Sequence, residues 1–150
     1  MNDPMAILKK DHAEAKSTLT KLGKSEPGKE RQDMVAEVTA ALELHMSIEE
    51  SLVYPLVEKV QDAEVRDEAQ IEHGLAREGI AKMNEMVDAP GFGAAAESVL
   101  GGILHHVREE ETEIMPTLKK KLSAAEWAAL GDKMAAAHAA GKAPASRSTK

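Results

Sequence analysis

A histidine–glutamate pattern occurs twice in this chain and could form a metal site. The segments HMSIEESLVYP (45–55) and HVREEETEIMP (106–116) each place a glutamate four residues after a histidine and end on a proline. The segments are 61 residues apart (106 minus 45), and the same offset relates His12 to His73. Residues four apart share one face of a helix, so each histidine and its glutamate project together. Imidazole and carboxylate groups bind first-row transition metals, which indicates metal chemistry.

The number of candidate ligands favours two metal ions over one. Six side chains would converge, namely His12, His45, Glu49, His73, His106 and Glu110. That set exceeds one tetrahedral zinc site, whereas two bridging carboxylates and two imidazoles for each ion suit a dinuclear centre. Imidazole and carboxylate with open positions favour iron, with manganese and zinc as competitors. Structural histidines are the alternative, but burying so many unpaired polar groups would cost on the order of several kcal/mol.

Helices are needed to bring these residues together, and the composition favours helices throughout. Strong helix formers such as Ala, Leu, Glu, Lys and Met dominate the chain. The midpoint between His12 and His45 falls in a turn-like stretch at 27–28, so the two histidines are level in a helical hairpin. The second pair, His73 and His106, is likewise centred on a stretch rich in proline and glycine. The sequence therefore predicts an all-α, up-down-up-down four-helix bundle with a short fifth C-terminal helix.

The helix boundaries follow from breakers and caps. The expected helices run from the Asp3–Pro4 cap to Gly23, from 28–31 onward, over 62–87, over 94–122 and over 124–139. Pro55 and Pro116 must kink or distort the second and fourth helices, because proline lacks a backbone donor and clashes with the preceding turn. We expect one bundle domain, residues 1–140, followed by a disordered tail, residues 141–150.

Composition excludes several classes of protein. The chain has 19 basic and 26 acidic residues, a net charge of −7, which argues against nucleic-acid binding. The absence of cysteine excludes disulfides, cysteine-ligated metals and thiol catalysis. No apolar run approaches the roughly 20 residues of a membrane span, and the N-terminus lacks a signal-peptide core. We therefore expect a cytoplasmic protein without membrane or nucleic-acid partners, and at most a weak homo-oligomer.

Several polar residues near the ligands allow two interpretations. His105 and Glu109 also spell HxxxE, but their repeat counterparts, Leu44 and Ile48, are apolar. We therefore assign the register of His106 and expect His105 to flank the site or to contact a ligand.

Four acidic residues adjoin the ligands, namely Asp11, Glu50, Glu72 and Glu111. Solvated helix charges are the favoured interpretation, and carboxylates that orient ligand imidazoles are the alternative. Tyr54 follows His45 by nine residues, so a regular helix would carry it to another face, although Pro55 could turn the phenol toward a metal. His138 has no counterpart in the repeat and is assigned no role.

The pattern H…HxxxE…H…HxxxE resembles the hemerythrin-like (HHE) domain family over residues 5 to about 122. The stretch LGDKMAA (130–136) is also similar to mycobacterial-type members. The resemblance implies a non-haem di-iron centre with an oxo or hydroxo bridge. It makes the four histidines terminal ligands, and Glu49 and Glu110 bridging carboxylates.

One departure from the oxygen-carrying members bears on function. They have a further histidine four residues after the third-helix ligand, where this chain has Arg77, whose repeat partner is Lys16. Two histidines per iron leave positions open on both ions and disfavour reversible oxygen carriage. The mycobacterial-type resemblance instead implies a di-iron oxidoreductase with catalase-like decomposition of hydrogen peroxide and reactions with nitric oxide. Tyr54, Arg77 or Lys16 could serve as acid or base. The alternatives are a module that binds or senses O₂, NO or iron without turnover, and an inert helical bundle.

Overall fold

Helices make up most of residues 2–144, which are the residues that this computed structural model describes. In chain order the elements are α1 (Pro4–Gly23), α2 (Lys29–Ile48), a first π-helical turn (Glu49–Val53), α3 (Tyr54–Val60), α4 (Ala63–Glu85), α5 (Phe92–Glu109), a second π-helical turn (Glu110–Ile114), α6 (Met115–Lys121) and α7 (Ala124–Ala140). The described residues contain no strand, so the predicted all-α class is confirmed. The up-down-up-down order stays a prediction.

Side-chain caps fix the start of α1 and of α7. Asp3 accepts a hydrogen bond from the backbone N–H of Ala6 at 3.0 Å, and Pro4 occupies the first helical position. Ser123 and Glu126 form a reciprocal capping box, with hydrogen bonds of 3.0 and 2.8 Å. Both starts agree with the sequence prediction, because each depends only on residues within the first turn.

The two π-helical turns are the main departure from regular helix. Each begins at a predicted ligand, Glu49 or Glu110, and ends two residues before a proline, Pro55 or Pro116. Proline has no N–H to continue the four-residue hydrogen-bonding pattern, so the preceding turn widens to five residues. The extra residue rotates everything that follows by about 100° relative to an uninterrupted α-helix. The predicted distortion therefore takes the form of a π-helical turn.

Two apolar clusters enclose a polar layer. On α1, His12 lies between Leu8 of one cluster and Ala15 of the other. The first cluster also contains Met115 and the inner face of α7, and the second contains Phe92 near the opposite end. The predicted ligands are therefore buried between two apolar regions.

The last helix closes one end of the bundle over the start of the chain. The indole N–H of Trp127 donates to Asp3 at 2.9 Å, and a Cβ added at Gly131 would clash with the backbone carbonyl oxygen of Asn2. Beyond α7, the Ser51 hydroxyl donates to the carbonyl of Pro144 at 2.9 Å. The predicted tail partly lies outside the described residues, and the domain boundaries stay a prediction. Among the described helices, none is long and apolar enough to cross a membrane.

Candidate metal centre

Four buried ligand atoms form the first half of the site. His12, His45, Glu49 and Glu110 each place one ligand atom within 4.8 Å of the others. Nε2 of His12 lies 3.0 Å from Oε1 of Glu110, and Nε2 of His45 lies 3.1 Å from Oε2 of Glu49. The two glutamates come from different π-helical turns, so this group joins both halves of the repeat.

The second half of the site uses the other oxygen of each glutamate. Oε1 of Glu49 lies 2.9 Å from Nε2 of His73, and Oε2 of Glu110 lies 3.2 Å from Nε2 of His106. Each carboxylate thus directs one oxygen to each pair of histidines. That is the arrangement in which a carboxylate can bridge two ions, with two imidazoles for each ion.

Unpartnered polar atoms show that the first half fits a cation. His12 Nε2, His45 Nε2, Glu49 Oε2 and Glu110 Oε1 are buried and make no hydrogen bond within the described part of the chain. Their mutual distances are short, but the geometry does not satisfy hydrogen bonding. Both glutamates are 0% exposed. Burial of unpaired polar atoms is costly, and a bound metal ion would satisfy all four.

A carboxylate lies against the second ring nitrogen of every candidate histidine ligand. The Nδ1 contacts, each between 2.6 and 2.8 Å, are His12 with Glu111, His45 with Asp11, His73 with Glu50, and His106 with Glu72. Such a partner fixes the imidazole orientation and directs Nε2 at the metal. Sequence reasoning favoured solvated charges for these four residues. The clue to these contacts was the position of each carboxylate next to a candidate ligand, from which it reaches a histidine on a neighbouring helix.

Two of these carboxylates are held by further residues. Arg77 donates to both oxygens of Glu50, at 2.8 and 3.1 Å, and also pairs with Glu43 on α2. Asp11 accepts from Nε2 of His138, at 2.8 Å, through the same oxygen that contacts His45. His138 lies on α7, outside the internal repeat, so the repeat gave no signal for it.

The hydroxyl of Tyr54 lies inside the second half of the site. It is 3.0 Å from Nε2 of His73, 3.2 Å from Nε2 of His106, 3.1 Å from Oε1 of Glu49 and 3.2 Å from Oε2 of Glu110. The phenol oxygen therefore lies within hydrogen-bonding distance of both imidazoles and both carboxylates of this half.

The position of Tyr54 follows from the first π-helical turn. A regular helix would rotate the side chain away from the face of His45, which was the favoured expectation. The widened turn before Pro55 brings the side chain inward instead. The repeat counterpart of Tyr54 is the fully buried Met115, so the two halves differ chemically at this point.

The carboxylates control protonation in the metal-free site. Burial opposes the charged form of the imidazoles, but the adjacent glutamates outweigh it and raise the pKa of His12, His45 and His73. The same balance raises the pKa of His106 to about 12. Burial opposes ionisation of Glu49, but the positive charge of His45 holds its pKa well below the ordinary value. In the absence of a metal the carboxylates therefore favour protonated imidazoles, and metal binding would release protons.

A cavity of about 310 Å³ borders the four imidazoles. Apolar side chains form most of its walls, among them Val38, Leu42, Ile80 and Ile103. Its exposed lining residues include Glu14 on α1 and Glu37 on α2, so it reaches the surface between these helices. The site thus has an apolar approach on the histidine side.

The remaining predicted residues lie at the edge of the site. Lys16 is exposed on α1. His105 has a 66% exposed side chain and lies 3.6 Å from the carboxylates of Glu72 and Glu109. The structure thus brings together the six residues of the chosen register and leaves His105 at the surface, where it contacts the Glu72 that orients His106.

Comparisons with known proteins agree with this geometry. A family model, the hemerythrin HHE cation binding domain, matches residues 3–118. Among solved structures, the chain is similar to a hemerythrin HHE cation binding domain-containing protein from Mycobacterium kansasii. The sequence identity is 24%, the TM-score is 0.83, and the match covers 94% of this chain and 88% of that one, which establishes a shared fold. No curated protein sequence matches the chain significantly. The family match spans most of the chain and includes all six candidate ligands, so the chain belongs to the hemerythrin HHE cation binding domain family.

Proposed function

We propose that this protein holds two iron ions and decomposes hydrogen peroxide, with nitric oxide as a second small reactant. His12 and His45 would hold one ion and His73 and His106 the other, with Glu49 and Glu110 between them. The observation that carries the proposal is that each glutamate directs one oxygen to each histidine pair, at 2.9 to 3.2 Å.

The protein would position the metal ions, orient the imidazoles that bind them and exclude water from the site. The carboxylates on the Nδ1 atoms hold the imidazoles in one orientation, and the apolar clusters on both sides keep the layer buried. When bound, an iron pair supplies the redox chemistry by which two molecules of hydrogen peroxide yield dioxygen and two of water. The cavity on the histidine side gives peroxide a route that avoids the buried carboxylates.

Tyr54 is the best-placed proton carrier among the three candidates. Burial and the charges of Glu49 and Glu110 raise the pKa of its phenol well above the ordinary value, so the metal-free site holds a proton at this oxygen. Arg77 is engaged by two carboxylates and Lys16 is exposed, so neither side chain reaches the ligand atoms. An ion held by His73 and His106 would lie beside this oxygen and would favour its deprotonated form, which could then serve as a further ligand.

The position of Arg77 supports turnover over oxygen carriage. Its guanidinium pairs with Glu43 and Glu50 and cannot donate a lone pair to a metal. Neither histidine pair therefore gains a third imidazole, and positions remain for a substrate.

Metal quantitation combined with an oxygen electrode tests the proposal. We expect close to two iron ions per chain and oxygen evolution when hydrogen peroxide is added. His105→Ala is the matched control, because it removes an exposed imidazole and should keep both properties. One ion per chain, or zinc alone after growth with ample iron, would contradict the dinuclear site. Two irons with reversible O₂ or NO binding and no peroxide consumption would support the binding module instead.

A further inference from the structure

The cavity beside the four imidazoles is far larger than the proposed small reactants require. A water molecule takes up roughly 30 Å³ in the liquid, so a molecule with two oxygen atoms needs about twice that space. The cavity measures about 310 Å³. Hydrogen peroxide or nitric oxide would leave most of it unfilled.

Small residues keep this space open within apolar walls. Ala15 on α1, Ala76 on α4 and Gly102 on α5 line the cavity between branched side chains. Because the cavity opens to the surface, its apolar walls are exposed to water when no ligand is bound, and an apolar occupant that covers them would be favoured. A leucine at Ala15 or Ala76 would extend into the space, whereas a leucine at the exposed Ala13 would not.

The charges around the cavity select an uncharged occupant. Glu14 and Glu37 lie at its surface end, and Asp11 and Glu72 lie near the imidazoles. Among the described residues, the lining includes no lysine or arginine. An anionic head group would therefore pass the carboxylates of Glu14 and Glu37 at the mouth without a lysine or arginine to offset them, and the apolar walls behind the mouth would bury its charge. A cationic head would have to leave the carboxylates at the mouth to reach the imidazoles.

We propose that this cavity binds an uncharged, linear aliphatic molecule whose small oxygen-bearing end faces the four imidazoles. A cavity of about 150 Å³ lined by apolar side chains holds one benzene molecule. The space here is about twice as large, enough for a chain of roughly eight carbons and its polar end. An aliphatic alcohol and an alkyl hydroperoxide share this chemistry. The inference rests on the proposed function only in placing the oxygen end at the metals.

Calorimetric titration of the purified, metal-loaded protein tests the inference. We expect 1-octanol to bind once per chain, and octanoate and octylammonium to bind at least about tenfold more weakly, because each buries a charge. Along the series of primary alcohols, affinity should rise about fourfold for each added methylene and level off when the cavity is full. Ala15→Leu and Ala76→Leu should weaken octanol binding while metal content stays unchanged, and Ala13→Leu should leave binding unchanged.

Three results would overturn the inference. They are no saturable octanol binding, equal affinity for octanoate, and an affinity that keeps rising through long alcohols, which indicates a non-specific surface. The chain-length series uses unaltered protein, so it decides the question even if the leucine variants misfold. Octyl hydroperoxide distinguishes the two ligand sources, because its consumption identifies a reactant and binding without consumption identifies an alcohol-like ligand. Octanol binding without hydrogen peroxide decomposition would refute the proposed function alone.

Discussion

Replacing Asp11 with asparagine tests whether the affinity for each metal ion depends on the carboxylates that contact Nδ1 of its histidines. The Asp11 carboxylate lies 2.8 Å from Nδ1 of His45 and 2.8 Å from Nε2 of His138. Burial alone would raise the pKa of Asp11, but the hydrogen bonds from the two histidines outweigh it and lower the pKa. Asparagine keeps the shape and removes the charge. Loss of such a partner costs about 10- to 100-fold in metal affinity, or about 1.4 to 2.7 kcal/mol.

The effect should be confined to one ion of the pair. We expect a chelator to remove the ion at His45 first from Asp11→Asn, and anomalous difference maps to show reduced occupancy at that position. Glu72→Gln is the matched control, because Glu72 accepts from Nδ1 of His106 at 2.6 Å. This substitution should lower the affinity for the other ion, beside His106. His138→Ala should weaken the same ion as Asp11→Asn, but less. Equal loss of both ions, or of neither, would refute the idea that these carboxylates act through individual imidazoles.

Three further predictions concern protons, register and the phenol. In metal-free protein the pKa of His106 is raised from 6.5 to about 12, so its stabilising contribution is full below about pH 6.5 and is lost as the pH rises through 12. The urea midpoint of metal-free protein should decrease as the pH rises from 7 to 10, and a midpoint that does not change with pH would contradict this. Loading with metal at pH 7 should release protons, which an indicator dye can measure. His106→Ala and Glu110→Ala should each lower metal content sharply, whereas His105→Ala and Glu109→Ala should not, and the opposite result by elemental analysis would show a register error of one residue. Tyr54→Phe should retain both ions but abolish a visible phenolate-to-iron absorption band of the iron-loaded protein, and an unchanged spectrum would place the phenol outside the ligand set.

Local signals were enough to predict the helical elements and to choose the six residues that the structure brings together. The Asp3 cap and the breakers around Pro27 and Pro90 act within a few residues, so α1 and both hairpin turns could be predicted from sequence. The internal repeat selected His106 over His105, and the structure buries the first and exposes the second.

Features that depend on contacts between helices could not be predicted in the same way. The pairing of Asp11 with His45 joins α1 to α2, and His138 joins it from α7, so no spacing along one helix reveals the contact. The position of Tyr54 depends on how the backbone responds to Pro55. Helical-wheel reasoning assumes a constant rotation per residue, which the π-helical turn does not keep.

The duplicated π-helical turn has a consequence for the ancestry and symmetry of the site. Each hairpin supplies one pair of imidazoles and one glutamate that directs its two oxygens to different pairs. Two identical hairpins related by a twofold axis would therefore form two equivalent metal positions. The halves differ at the residue that follows the turn, Tyr54 in one and Met115 in the other. Divergence after a duplication therefore leaves a phenol beside one pair of imidazoles and a thioether at the matching position of the other half, so two ions bound here would have chemically different surroundings.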